Sequence, residues 1–251
     1  MYSAFAEVYD ALMAEVDYAA WAGLYAQLLA DRGVHNGASV CECACGTGSL
    51  TLPLQKAGYR MTGVDLSPDM LQRAGEKARR EGLNIPFACQ DMRALALHRP
   101  QDAILATCDG VNYLLTEDDL NAFLRAAAAA LKPGGCLAFD VSTPHKLKND
   151  LGNQLLCTDS EAATVVWQNA WLPRQRQVKM DLCIFVPERD GRYRRIDESQ
   201  RQRAWELPEL EAALRSAGFA DVAVYGEKGL TPPAPSERRW HISAVRASAE
   251  G

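Results

Sequence analysis

The sequence predicts an α/β protein: a doubly wound, mostly parallel seven-stranded sheet into which a small antiparallel β cap is inserted. Three observations support this prediction. First, short apolar runs occur near residues 39–45, 60–65, 85–90, 102–107 and 135–141. Second, helical patterns fall between these runs with short connections, which is typical of a parallel sheet covered on both faces. Third, the periodicity changes to two after about residue 145, which predicts antiparallel strands.

The predicted helices have recognisable boundaries. Residues 17–31 place their apolar side chains on one helical face, and Asp17 is suited to cap the N-terminus. Further helical patterns cover about 49–58, 68–82 and 117–131. Ser67 is a suitable N-cap for the second of these, and Pro68 suits its first turn. "LKPGGC" then ends the third helix and leads into a strand.

The antiparallel part is predicted to contain three strands, at 163–171, 177–186 and 191–205. In the second strand, one face carries Val178, Met180, Leu182, Ile184 and Val186. A helix at 208–219 and strands at 221–226 and 238–246 return to the earlier pattern. We therefore expect a core of residues 1–144 plus 206–251, interrupted at 145–205 by a β cap over a pocket.

The composition of the 251 residues is that of an ordinary globular protein, with 48% apolar and 24% charged residues. A net charge of −5 argues against broad attraction to nucleic acid. The N-terminus lacks the early Lys or Arg of a secretion signal, and no apolar run approaches the roughly 18 residues of a membrane helix. We expect a cytoplasmic protein that does not act at a membrane, either a monomer or a homodimer.

Three cysteines at alternating positions precede a glycine-rich turn in "VCECACGTG" (residues 40–48). Alternation in a strand places Cys41, Cys43 and Cys45 on one side. A structural zinc site usually needs four convergent ligands, often in CxxC pairs, and no companion pair is present. Buried cysteine behaves as a small apolar residue, so we predict that these side chains pack in the core and that the chain has no metal site.

The glycines indicate a nucleoside site. Gly46 and Gly48 follow a predicted strand and precede a helix, where backbone N–H groups can approach a ligand. Asp65 ends the next strand, a position from which a carboxylate can accept hydrogen bonds from ribose hydroxyls. A dinucleotide fingerprint would have a third glycine where Thr51 stands, which disfavours NAD or FAD.

These residues resemble the class I S-adenosylmethionine (SAM) dependent methyltransferases, which have a Rossmann-like fold. The similar motifs are "VCECACGTG", "GVDLSPDML", "CQDMRAL", "ATCDGVNYL" and "LKPGGCLAFDVST", in the family's order over about residues 35–145. Ala44 departs from the pattern, because the family usually has glycine there. The resemblance implies that SAM is the methyl donor and S-adenosylhomocysteine the product.

The resemblance also implies roles for individual residues. Glu42 would orient the methionine end of SAM, Asp65 would hold the ribose hydroxyls, and Asp91 would take the adenine amino group. Tyr9, on an N-terminal helical lid, would touch the SAM carboxylate. The other implied cofactor contacts are Ala44, Gly46, Gly48, Leu66, Met70, Met92, Cys108 and Asp109.

The acceptor side is less defined by the sequence. His145 follows the fifth predicted strand and is a candidate base because histidine titrates near neutrality; a surface loop position is the alternative. Candidate acceptor contacts are Asn112, Tyr113, Trp167, Trp171 and Tyr193.

The predicted function is methyl transfer to a nitrogen or oxygen atom of a small molecule. An RNA methyltransferase would share the core but usually shows a basic track or an added RNA-binding module, and neither is evident. A SAM-binding regulator without catalytic activity is a further alternative, because a fold alone does not define a function.

Overall fold

The computed structural model describes residues 3–248. Within this range the helices are α1 (Ser3–Leu12), α2 (Tyr18–Asp31), α3 (Thr51–Lys56), α4 (Pro68–Arg80), α5 (Glu117–Ala130) and α6 (Leu207–Ser216). The strands are β1 (Ser39–Cys43), β2 (Arg60–Asp65), β3 (Phe87–Cys89), β4 (Gln101–Ala106), β5 (Leu131–Ser142), β6 (Leu155–Asp159), β7 (Thr164–Leu172), β8 (Gln177–Pro187), β9 (Tyr193–Arg203), β10 (Phe219–Tyr225) and β11 (Arg239–Arg246).

The larger sheet has seven strands in the order β3-β2-β1-β4-β5-β11-β10. Strands β1 to β5 run parallel, whereas β11 is antiparallel to both of its neighbours. Strand β2 lies on one side of β1, and β4 lies on the other side, so the direction in which strands are added to the sheet reverses at β1. Such a switch point opens a crevice at the carboxyl ends of the strands, where α/β sheets bind ligands. The predicted fold class is confirmed.

Helices cover both faces of this sheet because its strands alternate between two buried apolar clusters. In β4, Ile104 and Ala106 join the cluster under α5 and α6, whereas Leu105 joins the cluster under α2 and α3. Cys41 and Cys43 are fully buried in the first cluster, which confirms their predicted packing. Strand β1 ends at Cys43, so Cys45 is buried in the following turn instead of the predicted strand.

The smaller sheet is antiparallel, with strand order β6-β7-β8-β9. The predicted apolar face of β8 is confirmed: it packs against α1, Met70 of α4 and Leu147. The sequence predicted only three strands here. Leu155–Asp159 escaped notice because most of this edge strand is exposed and it lacks an apolar alternation.

The helix ends follow ordinary capping chemistry. The side chain of Asp17 accepts a hydrogen bond from the Ala20 amide (2.9 Å), and Ser67 caps α4 by accepting one from Met70 (3.3 Å). The cap at Ser67 fixes where β2 ends and α4 begins, which places Asp65 at the carboxyl edge of the sheet. Within residues 3–248, no helix has the length and apolar character needed to cross a membrane.

Candidate active site

The glycine-rich turn after β1 has an unusual backbone. Ala44, Gly46 and Gly48 have φ angles of +53°, +53° and +74°. A Cβ on Gly48 would lie 2.9 Å from Leu52 Cδ1 and 3.3 Å from Ala74 Cβ, so close packing requires glycine there. A Cβ on Gly46 would meet no atom within 4 Å. The backbone at Gly46 therefore borders open space that a ligand could approach.

Asp65 joins this turn to β2. One carboxylate oxygen accepts a hydrogen bond from the Gly46 amide and the other accepts one from the Ser67 amide, both at 2.8 Å. Burial raises the pKa of Asp65, and the hydrogen bonds from these amides oppose the rise. Leu66 beside it is 61% exposed, an unusual position for a large apolar side chain. The predicted ribose acid and adenine contact thus lie side by side at the open edge.

Glu42 lies beneath the turn and is only 2% exposed. Its carboxylate accepts hydrogen bonds from the hydroxyls of Thr51 and Thr107, the latter at 2.8 Å. Burial raises the pKa of Glu42 to about 7, although both hydrogen bonds act to lower it. Thr51, which in the sequence only argued against a dinucleotide, therefore positions the acidic residue of the site.

Glu42→Gln is expected to reduce the pH dependence of stability. The folded-state pKa of Glu42 exceeds the ordinary value of 4.5, so its contribution is fully present below about pH 4.5 and is lost as the pH rises through about 7. The loss is roughly 3 kcal/mol. Urea unfolding measures the free energy of unfolding of both proteins at pH 5 and pH 8. Relative to wild type, the variant should be more stable at pH 8 than at pH 5 by about this amount. Equal gaps at the two pH values would contradict the prediction.

The predicted adenine side is partly occupied by internal contacts. Asp91 accepts hydrogen bonds from the guanidinium of Arg93, which lower its pKa, and Arg93 also pairs with Asp119. Met92 packs in the core cluster that contains α5, and Met70 packs with the inner face of the smaller sheet. Asp91 retains an exposed fraction of 28% and therefore keeps access to a ligand.

The turn after β4 is strained and is held by a buried acid. Cys108 and Asp109 both have positive φ, at +56° and +66°. Their amides donate to the carboxylate of Asp140 at 2.6 and 3.1 Å. Arg239 of β11 donates to Asp140 and, at 2.6 Å, to Asp109. Successive amides around one carboxylate form an anion nest, so Asp140 determines the backbone shape at the predicted methyl-transfer edge.

Ser142 and Lys146 complete this charged cluster. The Ser142 hydroxyl donates to Asp109 at 2.8 Å, and the ammonium of Lys146 donates to Ser142 at 2.9 Å. Burial by itself would raise the pKa of Asp109, but the charges of Arg239 and Lys146 outweigh it and hold that pKa below its ordinary value. Sequence reasoning missed Asp140, although an acid inside the apolar run "CLAFDV" was a usable signal. Arg239 gave no such signal.

Aromatic side chains from α1 and α2 approach the same edge. Tyr9 and Tyr18 share a side-chain hydrogen bond, and burial raises the pKa of both hydroxyls. Tyr25 is fully buried; its hydroxyl donates to Asp140 at 3.4 Å and lies 3.2 Å from Nδ1 of His241. Burial lowers the pKa of His241 to about 4, so this imidazole is neutral near pH 7.

Helix α1 is fastened over the glycine-rich turn by Asp10. Its carboxylate accepts hydrogen bonds from Thr47 (2.5 Å) and Ser49 (3.3 Å) and pairs with the ammonium of Lys77 (2.9 Å). An open cleft of about 370 Å³ borders this contact and is lined also by Met13 and the end of α4. The predicted helical lid thus has specific polar attachments to the turn.

The five predicted acceptor contacts do not come together. Asn112 is fully buried, and its amide bonds the backbone of Ser142 and Arg203. Asn112 therefore joins the two sheets and has both of its N–H donors in use. Tyr193 is 63% exposed at the far end of β9, ten residues from Arg203. That separation is about 33 Å along an extended strand, so Tyr193 lies away from the site.

The other three candidates lie closer to the larger sheet than Tyr193 does. The Tyr113 hydroxyl donates to Gln200 of β9 at 2.8 Å, which attaches the turn after β4 to the smaller sheet. Trp167 and Trp171 occupy the inner face of β7 and pack against its apolar cluster.

His145 lies on the surface, and 41% of its side chain is exposed. Nδ1 lies 3.1 Å from the Asn149 amide nitrogen, and Nε2 lies 3.8 Å from Asp150. Both ring nitrogens thus contact residues of the short helical turn that follows. This placement favours the surface interpretation of the candidate base.

A nucleoside-binding α/β fold with this strand order, a glycine-rich turn and a strand-terminal acid defines the class of protein. Residues 40–135 match a family of methyltransferase domains. The chain belongs to the class I SAM-dependent methyltransferases, and SAM is its methyl donor.

The chain is similar to individual proteins over its whole length. It is 33% identical to a protein of Geobacillus sp. (strain WCH70) named as a methyltransferase, over 97% of this chain and 98% of the relative. It is 31% identical to YqeM of Bacillus subtilis (strain 168), also named as a methyltransferase, over 98% of both. A crystal structure of a SAM-dependent methyltransferase from Clostridium acetobutylicum superposes with a TM-score of 0.88, at 29% identity and 99% coverage of both chains.

The residues at the carboxyl edge fit a SAM molecule. Gly46 borders open space, Asp65 lies at the end of β2, and the exposed Leu66 offers an apolar surface beside it. Glu42 and the tyrosines of the lid supply polar groups near the turn. This donor requires polar groups beside its ribose, an apolar surface beside its adenine and polar groups beside its methionine part.

Proposed function

We propose that this methyltransferase acts on a nitrogen or oxygen atom of a small molecule bound between the two sheets. The observation that carries the proposal is the arrangement at the carboxyl edge. There, Asp65 holds the glycine-rich turn and Asp140 holds the turn after β4. The segment that follows this second turn is hydrogen-bonded to β9 of the smaller sheet through Asn112 and Tyr113. A largely apolar, covered face next to a nucleoside site suits a small acceptor better than a nucleic-acid strand.

The proposed donor contacts follow the positions of the side chains. Asp65 holds the ribose, the backbone at Gly46 and Gly48 lies against the donor, and Glu42 orients its amino-acid end. Leu66, Met92 and Asp91 form the adenine side, with Met70 behind them. Tyr9 closes the amino-acid end from α1. Ala44 takes the turn position with positive φ. A Cβ atom added to Gly110 would lie 3.2 Å from the Cβ atom of Ala44.

Cys108 and Asp109 form the boundary between donor and acceptor in this proposal. Their backbone conformation is set by Asp140, and Asp109 is itself fixed by Arg239 and Ser142. We assign residues 1–144 with 206–251 to the donor-binding core and residues 145–205 to the cap. We assign Tyr113 and Trp171 to the acceptor side, whereas Asn112 joins the two parts.

When bound, SAM supplies a methyl carbon made electrophilic by its sulfonium charge. The chain's own contribution is positioning: it fixes the donor's ribose and amino-acid end, aligns the acceptor and excludes water. Such alignment can supply on the order of 7–11 kcal/mol. A neutral amine needs no base before attack, whereas a hydroxyl does. The contacts of His145 with its own turn do not support that role for it.

The test is a product assay on purified protein with SAM and a panel of small amines, phenols and alcohols. We expect S-adenosylhomocysteine and one methylated acceptor in equal amounts. Methylation of transcribed RNA, with none of the panel, would favour the RNA alternative. SAM binding without turnover on either class would favour a regulatory protein, and absence of SAM binding would remove the basis of the proposal.

A further inference from the structure

The inner face of the smaller sheet carries polar groups that no protein atom satisfies. Asn169 is 5% exposed, yet neither its amide nitrogen nor its amide oxygen has a hydrogen-bond partner among residues 3–248. In that same part of the chain, Nε1 of Trp167 is also buried without a partner. A buried polar group left unpaired costs about 1–3 kcal/mol, so these positions need an explanation other than stability.

The register of the strands places these groups together. Two rows run across β7, β8 and β9. One row consists of Asn169, Met180 and Gln200, and the other consists of Trp167, Leu182 and Glu198. Residues that are opposite one another share a face, so both rows lie on the inner face. Strands are about 4.8 Å apart and residues two apart lie about 7 Å along a strand. The two rows therefore outline a patch of about 10 by 7 Å.

Glu198 adds a negative group to this patch. The residue is 7% exposed, and no side chain within residues 3–248 donates a hydrogen bond to its carboxyl group. The other buried positions on the inner face are mainly apolar, including Val165, Leu182 and Ile184. A carboxyl group on this largely apolar face is suited to accept a hydrogen bond from an ammonium or hydroxyl group of a ligand.

The patch is attached to the methyl-transfer edge. Gln200, in the same row as Asn169, accepts the hydrogen bond from the Tyr113 hydroxyl. Tyr113 ends the short helical turn that begins just after Cys108 and Asp109. A ligand on the inner face would therefore lie beside the turn that we assign to the boundary between donor and acceptor.

We propose that Asn169, Trp167 and Glu198 recognise the methyl acceptor, and that this acceptor is a small polar molecule with an amino group near hydroxyl or carbonyl groups. The inference rests on the proposed function of the site. The Asn169 amide can both donate and accept hydrogen bonds, and the Trp167 indole can donate one. Glu198 pairs with the ammonium, and the two tryptophans offer apolar contact to the carbon skeleton.

The experiment uses matched ligands that differ only by an amine and a hydroxyl. Binding of D-glucosamine and D-glucose, and of 2-amino-1,3-propanediol and glycerol, is measured by saturation-transfer NMR on protein loaded with S-adenosylhomocysteine. We expect one amine to bind at least about tenfold more tightly than its alcohol. Equal binding within both pairs, or no binding of either amine, would overturn the proposal.

Variants separate recognition from folding. Asn169→Leu and Glu198→Gln should each weaken amine binding by about tenfold or more, while Asn169→Leu leaves the melting temperature unchanged or higher. Gln168→Leu and Asp197→Asn alter neighbouring residues on the opposite, exposed face and should leave binding unchanged. A lower melting temperature for Asn169→Leu, with amine binding intact, would assign Asn169 a structural role. Calorimetry with S-adenosylhomocysteine tests the donor site separately.

Discussion

Asp65→Ala is expected to reduce the affinity for S-adenosylhomocysteine by at least about 100-fold. A carboxylate that holds two ribose hydroxyls makes two charge-assisted hydrogen bonds, each worth about 1.5–3 kcal/mol. The same substitution also removes the acceptor for the Gly46 and Ser67 amides, which releases the glycine-rich turn from β2. Isothermal titration calorimetry measures the loss directly.

Asp65→Asn and Asp118→Ala are the comparison variants for this experiment. The asparagine keeps one acceptor oxygen without the charge, so its affinity should fall between those of wild type and Asp65→Ala. Asp118 is exposed in the first turn of α5, and its loss should leave the affinity unchanged. An affinity for Asp65→Ala within threefold of wild type, with the melting temperature preserved, would refute the ribose assignment.

Asp140→Ala is expected to have the largest effect on stability, a loss of about 3–5 kcal/mol in the free energy of unfolding. Asp140 is fully buried and accepts hydrogen bonds from two backbone amides and from Arg239. Its removal leaves the Arg239 guanidinium with Asp109 as its remaining carboxylate partner. The strained backbone of Cys108 and Asp109 also loses the group that holds it in place.

Urea denaturation of Asp140→Ala measures this loss, and Asp140→Asn keeps the fold accessible to functional assays. We expect the asparagine variant to bind S-adenosylhomocysteine within about tenfold of wild type, whereas methyl transfer falls further because the turn is misplaced. A loss below 1 kcal/mol for Asp140→Ala would show that the nest is dispensable. Unaltered turnover of Asp140→Asn would remove the turn from the mechanism.

The core of the fold could be predicted because its signals are local. The strands around Cys41 and Ile104 are short apolar runs, and Ser67 with Pro68 marks the start of α4. The helices and strands follow from such patterns to within a few residues. Strand β6 could not be predicted, because an exposed edge strand pairs through its backbone and has no apolar pattern of its own.

The donor side of the site was predictable for a related reason. Gly46, Asp65 and Glu42 lie within 24 residues, and all three lie at or just after the carboxyl end of β1 or β2, two parallel strands that end at the same edge. The charged cluster was not predictable, because Arg239 approaches Asp140 from a strand 99 positions away. The exposed position of Tyr193, at the end of β9 remote from Arg203, was not predictable either, because an aromatic residue in a cap strand shows neither its face nor its distance from the core.

The buried, unpaired side-chain amide of Asn169 could not be predicted from the sequence either. Alternation within the strand places Gln168 and Asn169 on opposite faces, but nothing in "WQNAW" shows which of the two faces inward. The pairing of Asn169 with Met180 of β8 shows that it is Asn169. Sequence patterns were therefore enough to predict a donor site, whereas the pairing of distant segments was needed to propose the acceptor groups.

A crystal structure with S-adenosylhomocysteine bound tests the central claim most directly. We predict that the ribose hydroxyls lie within hydrogen-bond distance of Asp65, with the adenine beside Leu66 and the amino-acid end above Glu42. A nucleoside bound elsewhere, or one that leaves both oxygens of Asp65 in contact only with Gly46 and Ser67, would contradict the account.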